Sequence, residues 1–129
     1  MRMGTFSIVG KRHPRVDGKD KVTGRAKYLD DLRIPGMLYG KVLRSPYAHA
    51  KVLRIDTSRA EKVLGARAVV TVEDTPKVPF GSYRSGIKDE LMLALDKVRF
   101  VGDEVAAIAA IDEEIALEAL DRIVVEYEP

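Results

Sequence analysis

The chain has 129 residues, no cysteine and a formal net charge of +2. That length suffices for one domain with its own core. The lack of cysteine excludes a disulfide, a thiolate zinc site and an iron–sulfur cluster ligated by this chain, and no apolar run approaches the roughly 18 residues of a membrane span. The composition fits a cytoplasmic protein.

The small net charge hides an asymmetry. Residues 1–65 hold 15 Lys and Arg against 6 Asp and Glu, whereas residues 66–129 hold 7 against 14. A basic half can be a nucleic-acid surface. These basic residues are scattered and no nucleic-acid motif accompanies them. The plainer expectation is that strands from both halves share a sheet and their charges mix on its surface.

From Met1 to Val22 the chain is polar and basic, and Gly4, Gly10, Pro14 and Gly18 interrupt any period. An extended, loosely packed arm is expected there. Gly24 to Asp30 reads as a short strand, and Pro35-Gly36 as a turn. Met37 to Arg44 and Ala48 to Asp56 both alternate between apolar and polar residues, with Ser45-Pro46 between them, and so predict two strands joined by a loop. Leu38, Gly40, Val42 and Arg44 share one face of the first, Tyr39, Lys41 and Leu43 the other.

Asp56 to Gly65 predicts a two-turn helix. Ser58 and Glu61 have capping-box spacing, and Gly65 suits the left-handed position past a helix end. Ala66 to Glu73 is β-branched and predicts a strand. Glu73 to Glu90 carries Pro76, Pro79, Gly81 and Gly86 and predicts a long loop. Leu91 to Leu95 is expected to return to the core, Lys97 to Val101 to form a strand, and Gly102-Asp103 a turn or bulge.

Glu104 to Tyr127 admits two readings. One helix from Glu104 to Arg122 would use the three-residue spacing of Val105, Ile108 and Ile111. However, Val105 to Ile111 is apolar on every face, which suits an element buried on both sides. Asp112, followed by Glu113 and Glu114, also has the look of a capped helix start. The residues favour a buried strand, a helix over Glu113 to Arg122 with a stripe of Ile115, Ala116, Ala119, Leu120 and Ile123, then a second strand.

No self-sufficient active site emerges. His13 and His49 lack the spacing of zinc motifs, and His49 lies between two alanines in an expected strand, which suits a structural or partner-contact role. Ser45 precedes a proline without a nucleophile elbow, and Ser58 is better used as a cap. Asp112, Glu113 and Glu114 complement a helix dipole. Gly81 and Gly86 match no phosphate-binding pattern.

Three blocks together resemble a known family: Val22 to Leu32 (VTGRAKYLDDL), Leu43 to Thr71 (LRSPYAHAKVLRIDTSRAEKVLGARAVVT) and Leu93 to Pro129 (LALDKVRFVGDEVAAIAAIDEEIALEALDRIVVEYEP). They are similar to the N-terminal domain of molybdenum hydroxylase large subunits, the xanthine dehydrogenase and aldehyde oxidase family. Within that family, the run TPKVPFG, Thr75 to Gly81, with LALDKVRFVGDEVAAIAAIDE, Leu93 to Glu113, further on, looks most like the 4-hydroxybenzoyl-CoA reductase large subunit.

The resemblance implies an α+β class, an α/β hammerhead domain with a mixed sheet and two helices. It spans residues 16–129 behind an arm of residues 1–15, and it implies the break at Asp112. It also implies a parent enzyme with molybdopterin and iron–sulfur clusters, neither bound by this chain. The expected partners are the molybdopterin-binding domains of the same large subunit or a split partner chain, with iron–sulfur and flavin subunits beyond. No catalytic, cofactor-binding or metal residue carries over.

The expected function is a structural and assembly domain of a molybdopterin-dependent oxidoreductase, as a truncated large subunit or as a split gene product. Interface contacts are expected from the N-terminal arm, from Arg44, Tyr47 and His49, and from Phe80, Tyr83 and Arg84 in the Lys77 to Asp89 loop, because exposed arginines and aromatics anchor interfaces. The alternative is a free-standing module that binds a ligand or nucleic acid with its basic half, recognisable by salt-dependent binding.

Overall fold

Asp112 separates a strand from a helix. In the computed structural model, which describes residues 7–81 and 86–129, the elements in chain order are α1 (Gly18–Val22), β1 (Tyr39–Arg44), β2 (Ala50–Asp56), β3 (Ala66–Val70), β4 (Lys97–Val98), β5 (Glu104–Ala110), α2 (Glu113–Asp121) and β6 (Val124–Glu128). Asp112 keeps extended backbone, and its carboxylate accepts the Ile115 N–H at 2.9 Å, ending β5 and capping α2. Ala116, Ala119 and Ile123 are buried and Ile115 and Leu120 partly so, as the expected stripe requires.

The α+β class holds, but the strands form two antiparallel sheets where one mixed sheet was expected: β1-β5-β3 and β4-β2-β6. The Ser45-Pro46 corner carries the chain from the first sheet to the second, so β1 and β2 do not pair with each other. Each sheet draws strands from both halves of the sequence. Lys41 meets Glu113 at 2.5 Å, Arg44 meets Glu104 at 2.6 Å, and Lys51 meets Glu128 at 3.2 Å. Each pair joins the basic half to the acidic half, so within Gly36–Pro129 part of the charge asymmetry mixes in space.

Two apolar clusters hold these sheets. One packs Ala106, Ile108 and Ala110 of β5 against Ala116, Ala119 and Ile123, with Ala60 and Val63 from the segment before β3. The other joins Ala50, Ala94, Val98 and Val105. Leu93 and Ala94 are buried, so the chain does return to the core there after its long loop.

Several local expectations fail. Asp56 to Gly65 is a series of turns, not a helix. The Ser58 N–H bonds to Asp56 Oδ1, the Thr57 hydroxyl donates to the Glu61 carboxylate at 2.5 Å, and the Glu61 N–H to Thr57 carbonyl bond stands alone as an α-type bond in the segment. So short a helix is marginal by itself. Here Ala60 and Val63 are pulled into the first cluster, and the Ala66 N–H closes back on the Val63 carbonyl. Hydrogen bonding by Ser58, through its side chain and then its backbone, holds the Asp56 carboxyl below its usual range.

The strand expected over Ala66 to Glu73 stops at Val70, because the Asp74 carboxylate accepts the Thr71 N–H and turns Val72–Asp74 into a 3-10 turn. The strand at Lys97 keeps two residues, since Asp103 Oδ2 accepts the Arg99 N–H and removes it from the ladder.

The chain divides into two compact units, Met1–Pro35 and Gly36–Pro129. Within the first, none of the described residues is buried. The expected extended arm contains α1, where Asp17 binds Arg15 and Lys21 at 2.6 and 2.7 Å. The Lys21 and then the Arg15 cation hold the Asp17 carboxyl low. No strand forms over Gly24 to Asp30. The Arg25 and Ala26 N–H groups bond to the Asp20 carbonyl and the Tyr28 N–H to Asp31 Oδ2, so local acceptors satisfy the backbone that a sheet would have needed.

Candidate assembly interface

At the end of β1 a bulge lies between Leu43 and Arg44, and it turns Arg44 toward the start of β5. The Arg44 guanidinium donates to the Gly102 carbonyl at 2.8 Å and to Glu104 Oε1 at 2.6 Å. The next residue is the hinge of the corner. Ser45 is 2 % exposed; its N–H donates to the Asp103 carbonyl, its carbonyl accepts the Gly102 N–H, and its hydroxyl accepts the Tyr47 N–H while donating to the Tyr47 carbonyl. Gly102 serves this clasp with φ of +97°, a conformation that favours glycine.

The corner places the Tyr47 ring 5.1 Å from that of Tyr127 on β6, tilted by 55°. Burial raises the Tyr127 phenol pKa, a hydrogen bond with Ser45 opposes this, and Tyr47 and Asp103 add to the rise. His49 lies in the bend before β2, not within the strand as expected, and it is exposed.

Beside the corner is a cleft of about 570 Å³ whose lining includes Phe80, Glu90, Met92, Phe100, Asp103 and Glu104. Phe80 forms one wall through a two-bond bridge with Glu90, 2.9 Å in each direction. The crossing is tight: a Cβ on Gly81 would lie 1.7 Å from the Ile87 carbonyl oxygen. Phe80, Met92 and Phe100 are about half exposed. Through Glu104 the cleft meets the Arg44 corner, so two of the expected interface elements share one surface. Tyr83 and Arg84 lie outside the described residues.

Asp103, Glu104, Phe100 and Tyr127 were missed from sequence. A Gly-Asp pair ahead of an apolar strand signals a turn, and nothing in it shows which distant serine it will clasp.

The cleft is a poor seat for a phosphate-bearing pterin. Its lining carries Asp89, Glu90, Asp103 and Glu104 against Arg99, and Arg99 already reaches toward Asp96. A second hollow, of about 290 Å³, gathers Arg54, Arg59 and Arg122, but Arg54 is paired with Asp56 at 3.0 Å and Arg122 with Glu118. Among the described residues, no three His, Cys, Asp or Glu side chains converge as a metal site, and no helix is long and apolar enough to cross a membrane.

Residues 23–129 match the model of the aldehyde oxidase and xanthine dehydrogenase a/b hammerhead domain. The chain belongs to that family. It is 54% identical over 115 residues to a probable xanthine dehydrogenase subunit of Bacillus subtilis, covering 88% of this chain and 15% of that protein. It is 41% identical over 125 residues to the nicotinate dehydrogenase large molybdopterin subunit of Eubacterium barkeri, covering 95% of this chain and 28% of that one. Among solved structures, the reconstituted CO dehydrogenase from Oligotropha carboxidovorans superposes with a TM-score of 0.84 at 34% identity, over 93% of this chain and 15% of that chain. The hammerhead chain thus spans a small part of the molybdenum hydroxylases it matches.

Proposed function

We propose that this chain is the structural and assembly domain of a molybdopterin-dependent oxidoreductase, with residues 16–129 as the hammerhead domain and residues 1–15 as an arm ahead of it. The observation that carries the proposal is the continuous family match over 23–129, together with relatives of which this chain covers 15% and 28% of the length. The cleft fits a supporting role. Arg44 and Glu104 neutralise each other, Asp103 is occupied by the Arg99 backbone, and half-exposed Phe80, Met92 and Phe100 stand beside Asp89 and Glu90 for contact. Arg44, Tyr47, His49 and Phe80, with Tyr83 and Arg84, are the proposed contact residues for the molybdopterin-binding part of the enzyme, acting in the cytoplasm beside iron–sulfur and flavin subunits.

For the substrate, an aromatic ring compound is the favoured class. Supporting it are the likeness of Thr75 to Gly81 to 4-hydroxybenzoyl-CoA reductase and the names of the relatives that carry xanthine, nicotinate and nicotine. The test is turnover by the chain assembled with the molybdopterin-binding polypeptide of the same organism, offered xanthine, nicotinate and 4-hydroxybenzoyl-CoA. Oxidation or reduction of one of them by the assembly, and of none by the chain alone, is the expected result. Turnover by the 129-residue chain alone would overturn the proposal.

A further inference from the structure

Strand β5 is apolar on both faces, and among the described residues of Gly36–Pro129 one face is buried while the other is only partly so. Ala106, Ile108 and Ala110 pack in the cluster that includes α2, and the alternating Ala107 and Ala109 point the other way. The register extends that second face across the sheet in two rows. Val42, Ala107 and Val70 form one; Gly40, Ala109 and Ala68 form the other. No charged or polar side chain stands in either row. Val42 is 39% exposed, and Gly40 and Ala68 are exposed as well. A solvent-facing side of an antiparallel sheet is ordinarily polar, so a side carrying only valine, alanine and glycine in these rows departs from that pattern.

We propose that this face is the seat of one helix from the molybdopterin-binding part of the same enzyme, an inference that rests on the family role proposed above. Three strands spaced at about 4.8 Å make a face roughly 14 Å across and roughly 200 Å² in area. One helix, about 10 Å in diameter, fills that width. The valines wall one row, while glycine and alanines leave the other flush, so a large apolar side chain of the helix can settle on the Gly40–Ala109–Ala68 row.

The area also argues against a second copy of this chain, since a stable interface between separate proteins needs about 800 Å² from each partner. A patch this small holds an occupant that is tethered or already docked elsewhere, because high effective concentration then replaces area. The solved relatives supply such an occupant, with this segment making up 15% of a longer chain.

The lack of cysteine makes a clean test possible. Val42→Cys and Ala68→Cys report on the face, and Lys62→Cys, on an exposed turn, is the control. Each is labelled with a maleimide, alone and after assembly with the molybdopterin-binding polypeptide. Assembly is expected to slow labelling at positions 42 and 68 at least about tenfold and to leave position 62 unchanged, as protection follows burial. Ala68→Glu is expected to weaken assembly about tenfold or more while the melting curve of the chain alone stays in place.

If wild-type chain assembles but positions 42 and 68 label at their free rates, this inference falls and the family role stands. If wild-type chain does not assemble at all, both fall. Protection that develops in the chain alone as its concentration rises would assign the face to a second copy and overturn the proposed occupant.

Discussion

Ser45 ties the corner between the two sheets through both its backbone and its side chain. It is buried and bonded on every side, and its hydroxyl both accepts from and donates to Tyr47. Ser45→Ala leaves the Tyr47 backbone groups without that partner and is expected to cost about 1 kcal/mol, read from the midpoint of urea unfolding at unchanged slope. Tyr127 gives the corner a pH dependence. Because burial raises its pKa in the folded state, the unfolded chain loses the phenolic proton first as pH rises. The folded state then binds more protons than the unfolded one, so the contribution is intact below the ordinary tyrosine pKa of about 10 and is lost on raising the pH through the folded value. Tyr127→Phe is expected to flatten the fall in thermal stability between neutral and strongly alkaline pH. At this scale the sequence was partly legible: Ser45-Pro46 marked the break between two strands, and the structure has β1 end at Arg44 and β2 begin at Ala50. The clasp between Ser45 and Gly102-Asp103 joins residues far apart in the chain, and no local pattern encodes such a pairing.

Elements differ in how much of their geometry is local. The β5–α2–β6 segment was readable because every cue agrees: an apolar run, a capping aspartate, acidic residues in the first turn and a stripe at helical spacing. Asp112→Ala removes the bond to the Ile115 N–H and is expected to cost about 1 kcal/mol, measured by chemical denaturation. The segment from Asp56 to Gly65 misled because its cues for a helix are real but weak. Burial of Ala60 and Val63 decides its path, and Thr57 diverts the Glu61 carboxylate from a capping box. Gly65 remains essential for a different reason from helix termination. Its φ is +97°, and a Cβ there would lie 2.8 Å from Ile115 Cδ1 and 3.1 Å from Ile111 Cδ1. Gly65→Ala therefore meets backbone strain and crowds the ends of two isoleucine side chains, and is expected to destabilise the chain by about 2 kcal/mol in the same assay. Strands were over-extended at Ala66 to Glu73 and Lys97 to Val101 because β-branched composition says nothing of side chains such as Asp74 and Asp103 that intercept the ladder.

Within Gly36–Pro129, strands from the basic half of the sequence pair with strands from the acidic half. The charge asymmetry that admitted a nucleic-acid surface is thus met, in part, by Lys41–Glu113, Arg44–Glu104 and Lys51–Glu128. These are exposed pairs, each worth less than about 1 kcal/mol, so they neutralise the surface without holding the fold. Cohesion comes from the two apolar clusters and the strand between them. Its apolarity on every face was readable in the sequence, and among the described residues of Gly36–Pro129 one half of it is buried and the other half only partly so. The central claim is that the cover for that other half, and the chemistry, belong to polypeptide beyond the hammerhead. Sedimentation of the chain, alone and mixed with the molybdopterin-binding polypeptide, tests it directly. A one-to-one complex that forms at micromolar concentration is the predicted result; two independent boundaries at every mixing ratio would contradict it.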